Sequence, residues 1–230
     1  MARAYFITGT DTDAGKTSIA AGLLCAAKQQ QHSTLAMKPV ASGCQMSVEG
    51  LRNSDALALI EQSTVQLPYS QVNPYAFAPA IAPHIAAQEA GIELSVRDLY
   101  RAAQVILQEP ADFTLIEGAG GWRVPISSTE FLSDFAIALQ LPVILVVGVK
   151  LGCINHAVLS AQAIVHDGLE LAGWVANVVD PKCARLAENL ATLQQLMPAP
   201  CLAEVPYLDI ASAEHVAKYL VKDNYILDFI

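Results

Sequence analysis

The chain has 230 residues, 53% of them apolar and only 15% charged, with 13 Lys+Arg against 22 Asp+Glu for a net charge of −9. An acidic chain without a basic run repels nucleic-acid backbones and anionic membrane surfaces, so both are excluded as partners. An anionic ligand must instead be held by local devices such as helix N-termini and single lysines.

The first predicted element is a strand over 5–8, followed by a loop and a helix over 16–30. Further strands are predicted over 34–40, 113–117, 143–149, 171–179 and 202–205, and helices over 55–62, 95–108, 133–140, 155–167 and 184–196. This alternation of β-rich runs with helical spacing is the pattern of βα units. The expected fold is a single α/β domain over 1–230, three layers of the P-loop NTPase type, with a mostly parallel central sheet and helices on both faces. The segment 67–89, with Pro68, Pro74, Pro79 and Pro83, fits no regular element and is expected to cross over the sheet and wall a substrate site. The low charge content leaves room for a buried subunit interface.

Five scattered cysteines without a CxxC spacing read as reduced packing residues, which suits the cytosol. The N-terminus runs straight into a strand with no leader pattern. The longest apolar run, 141–149, contains Pro142 and stops at Lys150, short of the roughly 20 residues a membrane-crossing helix needs. The expected location is cytoplasmic.

The segment Gly9-Thr-Asp-Thr-Asp-Ala-Gly15-Lys16-Thr17 joins the first strand to the first helix. Strand, loop, Gly-Lys-Thr and helix is the context a phosphate loop requires. Backbone N–H groups and the helix start supply partial positive charge, Lys16 a full one, and the Thr17 hydroxyl a ligand for Mg²⁺. The standard spacing asks for glycine at position 10, where Thr10 stands, with Gly9 one residue earlier.

Other residues carry two readings each. Lys38, before Pro39, reads first as a solvated strand-end lysine and second as a cation facing the same ligand edge as the phosphate loop. Ser42 and Gly43 form a plain turn or a set of donors. Asp55 reads as a helix-start carboxylate by default. Glu117 is more specific, because an acid closing an apolar strand before a glycine-rich turn is how P-loop enzymes hold Mg²⁺ or its water. Gly152–Asn155 could form a second anion site at a helix start. His156 reads as a surface or capping residue, and Asn177 as a turn residue or a reader of a base edge.

Together, residues 5–17, Lys-Pro-Val-Ala-Ser-Gly (38–43), Gly-Leu-Arg-Asn-Ser-Asp-Ala-Leu (50–57), Glu-Gly-Ala-Gly-Gly-Trp (117–122), the stretch 141–157 and Gly-Trp-Val-Ala-Asn (173–177) closely resemble the dethiobiotin synthetase family. The resemblance runs from residue 5 to about residue 208 and accounts for the extra residue in the phosphate loop. It implies that ATP meets Asp13, Ala14, Gly15, Lys16, Thr17 and Ser18 at its phosphates, with Gly118, Ala119 and Gly120 nearby. Asn177, Val178, Pro206, Tyr207 and Leu208 would lie against the adenine. Thr17, Asp55 and Glu117 would hold Mg²⁺, all three close to ATP, and Lys38 with Lys16 would be catalytic.

The same resemblance implies that Thr12 and Ser42 contact the substrate. Gly152, Cys153, Ile154 and Asn155 would receive its carboxylate across a homodimer interface. The implied reactants are 7,8-diaminononanoate, CO₂ or bicarbonate, and ATP, joined into a cyclic urea through a carbamate and a carbamic–phosphoric anhydride. Asp13 stands where many members have glutamate and Ala14 where valine is usual; Arg123 and the tail beyond about residue 210 receive no role. Two other readings compete: a P-loop amidating or ligating enzyme acting on a different carboxylate, and a partitioning-type switch ATPase. The second usually carries an early loop lysine, where this chain has Thr10-Asp11-Thr12, and a membrane-acting member would have a basic amphipathic tail, unlike 219–230.

Overall fold

A computed structural model describes residues 3–221. In chain order the elements are β1 (Arg3–Gly9), α1 (Lys16–Gln29), β2 (Thr34–Met37), β3 (Val40–Ala41), β4 (Gln45–Ser47), β5 (Gly50–Arg52) and α2 (Ser54–Gln62). Next come α3 (Tyr69–Val72), β6 (Tyr75–Ala76), α4 (Pro83–Glu89), α5 (Val96–Leu107), β7 (Phe113–Glu117) and α6 (Leu132–Leu139). The rest are β8 (Val143–Val149), α7 (Cys153–His166), β9 (Leu171–Val178), α8 (Leu186–Leu196), β10 (Cys201–Val205) and α9 (Ala213–Leu220).

The main sheet has the order β10-β9-β8-β1-β7-β2, and every neighbouring pair in it is parallel. Side chains alternate across it, so each strand feeds two cores. Val143, Leu145 and Val147 of β8 join Phe6, Trp122, Phe135 and Trp174 on one face, with Ala157 and Ile164 of α7. Ile144 and Val146 join Ile7, Leu115 and Val175 on the other, with Ile19 and Leu23 of α1 and Val216 of α9. Coverage on both faces is what a parallel sheet of near-continuous apolar strands demands. The expected layered α/β arrangement is therefore the observed one. No helix among the described residues is long and apolar enough to cross a membrane.

Two expectations need correction. The strand predicted over 34–40 breaks after Met37, and Val40–Ala41 pairs with Tyr75–Ala76 in a separate two-stranded sheet. Pro39 has no N–H to give the ladder, and the Lys38 N–H turns away to the Val72 carbonyl at 2.8 Å. The segment 67–89 is also more regular than expected, holding α3, β6 and α4. Two of its four prolines begin helices: Pro68 caps α3 and Pro83 opens α4, positions where the missing N–H costs nothing. A β4–β5 hairpin and α9 add elements that the apolar spacing did not reveal. Much of the 219–230 tail lies outside the described residues.

Helix α9 lies against α1 at a glycine. A Cβ on Gly22 would stand 2.5 Å from Val216 Cγ1 and 3.0 Å from Leu220 Cδ1. Gly22→Val is expected to lower stability by roughly 1–3 kcal/mol through overpacking of this contact, read as a shift of the urea midpoint; an unchanged midpoint would show that α9 is not seated there.

Candidate active site

Parallel order places the C-terminal ends of β1, β7 and β2 side by side, where open α/β sheets bind ligands. Register then does the chemical work. Met37 pairs with Ile116, so Lys38 emerges next to Glu117. Ile7 pairs with Glu117 from the other side, bringing the loop after Gly9 to the same point.

Two helices at this edge, α1 and α7, begin on glycines in the left-handed region, Gly15 (φ 85°) and Gly152 (φ 93°), with no side-chain cap. By contrast, Asn53, Ser95 and Ser212 cap α2, α5 and α9 with their side chains. The difference leaves donors open. From Asp13 to Ser18 no backbone N–H has an acceptor among the described residues, a six-residue run of the kind that cradles phosphate oxygens. A Cβ on Gly15 would strike the Asn177 amide, whose Nδ2 donates to the Ala14 carbonyl at 3.0 Å. Thr10, the residue that departs from the standard loop, accepts the Gly148 N–H at 3.2 Å and ties the loop to β8.

Three charged side chains converge behind the loop. Lys38 is buried, and its Nζ donates to Glu117 Oε1 at 2.5 Å and to the Gly118 carbonyl at 3.0 Å. It also lies 3.2 Å from Asp55 Oδ2. Burial pulls the Lys38 ammonium down, but Glu117 and Asp55 together outweigh it and hold its pKa above the ordinary lysine value. Lys16 has no such partner: its Nζ reaches only the Asp11 carbonyl, at 3.2 Å. Burial, and then repulsion from Lys38, pull it down to about 8. A polyanion between the two ammonium groups would relieve that repulsion.

The residues present also fit a hard divalent cation. Glu117 is fully buried, its Oε1 takes the Thr17 hydroxyl at 2.8 Å, and its Oε2 is a buried oxygen with no hydrogen-bond partner. An orphaned carboxylate oxygen in the interior is costly unless something fills its lone pairs. Two carboxylates and a hydroxyl, with remaining positions left to water and phosphate oxygens, form a donor set suited to Mg²⁺.

The site opens into a cavity of ≈ 760 Å³ that runs from Thr12, Asp13 and Gly15–Ser18 past Lys38 and Asp55 to Ser42, Ala80–Pro83 and Ala119–Gly120. It thus gathers the predicted phosphate, catalytic and diamine-contact residues, whereas Ala14, Glu117 and Gly118 are not in its lining, although Glu117 bonds the lining residues Thr17 and Lys38. Asn177, Val178, Pro206, Tyr207 and Leu208 lie outside its lining, as do Gly152–Asn155. Asn177 braces the loop from beneath. Cys153 is buried and its N–H is spent on the Lys150 carbonyl at 3.0 Å, so the open donors at the start of α7 are the N–H groups of Ile154 and Asn155. The Ser42 hydroxyl is buried at the cavity without a partner.

Several residues were missed from sequence. Asn53, not Asp55, caps α2, accepting the Asp55 and Ala56 N–H groups at 3.1 and 3.2 Å; an Asn just before an apolar helical run is a legible cap signal. Arg123 bonds Asp167 at 2.7 Å and Ser133 at 2.9 Å, and Trp122 Nε1 donates to Asp167 at 2.7 Å. These bonds fasten the glycine-rich turn after Glu117 to the end of α7, a partnership across 44 residues with no local signature.

A parallel sheet between helical layers, with Gly-Lys-Thr between its central strand and first helix, defines a P-loop nucleotide-binding protein. Solved structures agree at the level of fold: the septum site-determining protein MinD with Mg-ADP from Pyrococcus horikoshii OT3 has a TM-score of 0.60 at 16% identity, covering 99% of this chain and 98% of that one. A ParA family ATPase from Chlorobium tepidum TLS has 0.58 at 10%, covering 99% of each. A family model described as an AAA domain matches residues 3–215. ATP-dependent dethiobiotin synthetase BioD of Pseudomonas aeruginosa (strain UCBPP-PA14) is 63% identical over 94% of this chain and 95% of its own length. That of Cellvibrio japonicus (strain Ueda107) is 56% identical over 95% of each. The chain belongs to the ATP-dependent dethiobiotin synthetase family.

The Thr17–Glu117 bond can be tested without nucleotide. Thr17→Val removes a donor to a buried carboxylate and is expected to cost about 1.5–3 kcal/mol in urea unfolding; a loss near zero would mean that Glu117 does not depend on this hydroxyl.

Proposed function

We propose that this chain is a dethiobiotin synthase: it carboxylates 7,8-diaminononanoate with CO₂ and closes the cyclic urea at the expense of ATP, a step of biotin biosynthesis. The observation that carries the reading is the second buried ammonium, Lys38, set beside a phosphate loop in one cavity that continues past it to Ser42 and Ala80–Pro83. Binding a triphosphate needs Lys16 and the loop; a second fixed cation further along the cavity suits a reaction in which another anion meets the γ-phosphate.

In the proposed sequence, one substrate amine adds to CO₂ and loses a proton, giving a carbamate. Lys38 and Lys16 hold its negative charge near the γ-phosphorus. A carbamate oxygen forms a bond to that phosphorus as the bond to the β-phosphate oxygen breaks and ADP leaves. The second amine then attacks the carbonyl carbon of the mixed anhydride, phosphate departs, and the amine proton is released. No protein nucleophile is required. The open N–H groups of Asp13–Ser18 and the two ammonium groups stabilise charge that builds on the transferring oxygens. Thr17, Asp55 and Glu117 would hold Mg²⁺, which when bound supplies Lewis-acid neutralisation of the phosphate oxygens. Holding the reactants in line can account for about 7–11 kcal/mol of the barrier.

The remaining roles follow the family resemblance. Asn177, Val178 and Pro206–Leu208 are proposed to flank adenine, Thr12 and Ser42 to touch the diamine, and Gly152–Asn155 to receive the substrate's carboxylate from a second copy. The proposed working form is a cytoplasmic homodimer. Supporting it, α7 carries exposed Leu159 and Val165, and Leu151 just before it is 94% exposed. Sedimentation at micromolar concentration should then give twice the mass of the chain.

Purified protein with ATP, Mg²⁺ and bicarbonate should release phosphate only when the diamine is added; release without it would favour a switch ATPase. Lys38→Leu, checked as folded by circular dichroism, should lose at least about 100-fold in turnover, the scale on which removing one charge-stabilising donor acts. Near-normal turnover would remove Lys38 from the chemistry. Glu117→Gln should raise the Mg²⁺ concentration for half-maximal turnover by about tenfold or more, and an unshifted titration would count against it as a ligand.

A further inference from the structure

Behind the site lies a run of side-chain hydrogen bonds that reaches both Lys38 and Asp55 and centres on Tyr69, at the start of α3. The Tyr69 hydroxyl accepts the Asn53 N–H at 2.7 Å and donates to Asn73 Oδ1 at 2.9 Å. Asn73 is buried, and its Nδ2 donates to the Lys38 carbonyl at 2.6 Å. The Lys38 N–H meanwhile donates to the Val72 carbonyl. Both main-chain polar groups of Lys38 are therefore fixed by the end of α3 and the residue after it.

The other arm leads to the carboxylate. Asn53 is buried; its Oδ1 takes the Asp55 and Ala56 N–H groups, and its Nδ2 lies 3.4 Å from the Ser42 carbonyl. The Arg52 guanidinium sits 4.2 Å from the centre of the Tyr69 ring and is itself held by Glu49 at 3.0 Å. One hydroxyl thus accepts from the segment carrying Asp55 and donates towards the segment carrying Lys38. The phenol oxygen does both, accepting through a lone pair and donating its one proton.

We propose that Tyr69 and Asn73 are positioning residues that set the Lys38–Asp55 separation, 3.2 Å between Nζ and Oδ2, and so align the catalytic ammonium with the carboxylate that holds the metal. This rests on the roles assigned to Lys38 and Asp55 above. Preorganisation of such groups matters because a displacement of about 1 Å can cost 100-fold in rate. A half-buried phenol could satisfy its hydroxyl with water; here it is spent on two protein partners instead.

Three variants test the idea: Tyr69→Phe, Asn73→Ala and the pair. Tyr69→Phe keeps the ring under Arg52 and is expected to lower kcat about tenfold, with KM for ATP within about twofold. It should also lower the thermal midpoint by several degrees, because the buried Asn53 N–H and Asn73 Oδ1 lose their partner, while the protein stays folded at assay temperature. Calorimetric titration of a non-hydrolysable ATP analogue should need about fivefold more Mg²⁺ for half-maximal binding, a readout independent of turnover. Because the two bonds act in series, the double variant should lose no more kcat than Asn73→Ala alone. Wild-type kcat and Mg²⁺ dependence in Tyr69→Phe, or losses that multiply in the pair, would overturn the proposal. If Asn73→Ala does not fold, the two Tyr69→Phe readouts decide alone. A wild-type protein without diamine-dependent phosphate release would sink the reaction proposed above, and the Mg²⁺ titration would still judge the positioning role.

Discussion

Lys38 and Glu117 are two opposite charges taken out of water together, and the arrangement around them follows from that cost. An isolated buried ion loses several kcal/mol of hydration, which a single contact repays only with good geometry and further hydrogen bonds. Here Lys38 also has Asp55 and the Gly118 carbonyl, and Glu117 has Thr17. Each partner comes from a different element. The strand register, the cap of α2, the start of α1 and the turn after β7 must therefore all be right at once. What is left over is one bare oxygen of Glu117 and a lysine, Lys16, with its charge poorly compensated. Both deficits lie beside the loop, Lys16 within it and Glu117 bonded to Thr17, and both are of the kind that Mg²⁺ and a polyphosphate would fill.

The same economy shows in the helix ends. Helices α2, α5 and α9 carry Asn or Ser caps whose side chains take one or two of their first N–H groups. The two that begin at the ligand edge, α1 and α7, start on left-handed glycines and leave donors open. Glycine at position 15 is demanded twice, by its positive φ and by the Asn177 amide lying where a Cβ would go. Stability withheld at these ends is recovered in the two cores. Phe6, for example, meets both Trp122 and Phe135 edge-on, with centroids 6.1 Å apart in each case.

Fold similarity alone does not reach the reaction. MinD and ParA structures superpose over nearly the whole chain at 10–16% identity, because a parallel sheet with a phosphate loop is a general way to hold a nucleotide. In this chain two features stand next to the loop. Lys38 follows β2, and the segment 67–89 folds over the sheet edge so that Ala80–Pro83 form the far wall of the cavity.

By itself the sequence determined the alternation of strands and helices, the phosphate loop, and the conspicuous acid Glu117, because each is written in neighbouring residues: apolar periodicity, Gly-Lys-Thr, and an acid closing an apolar run before glycines. It also carried family-specific segments, from which Lys38, Asp55 and Asn177 were singled out. The residues alone would have left Lys38 a solvated lysine, since nothing in Met37-Lys38-Pro39 says that Glu117, 79 positions away, will stand beside it. Thr10 looked like a defect in the loop until its hydroxyl was seen to hold Gly148, 138 positions on. The prolines of 67–89 hid two short helices because a proline reads as a breaker and a starter alike. The hydroxyl of Tyr69 and the amides of Asn53 and Asn73 acquired meaning only when the chain folded back on itself. Local chemistry decides which elements form, whereas burial and pairing of charges depend on which strand ends become neighbours, and that only the tertiary structure decides.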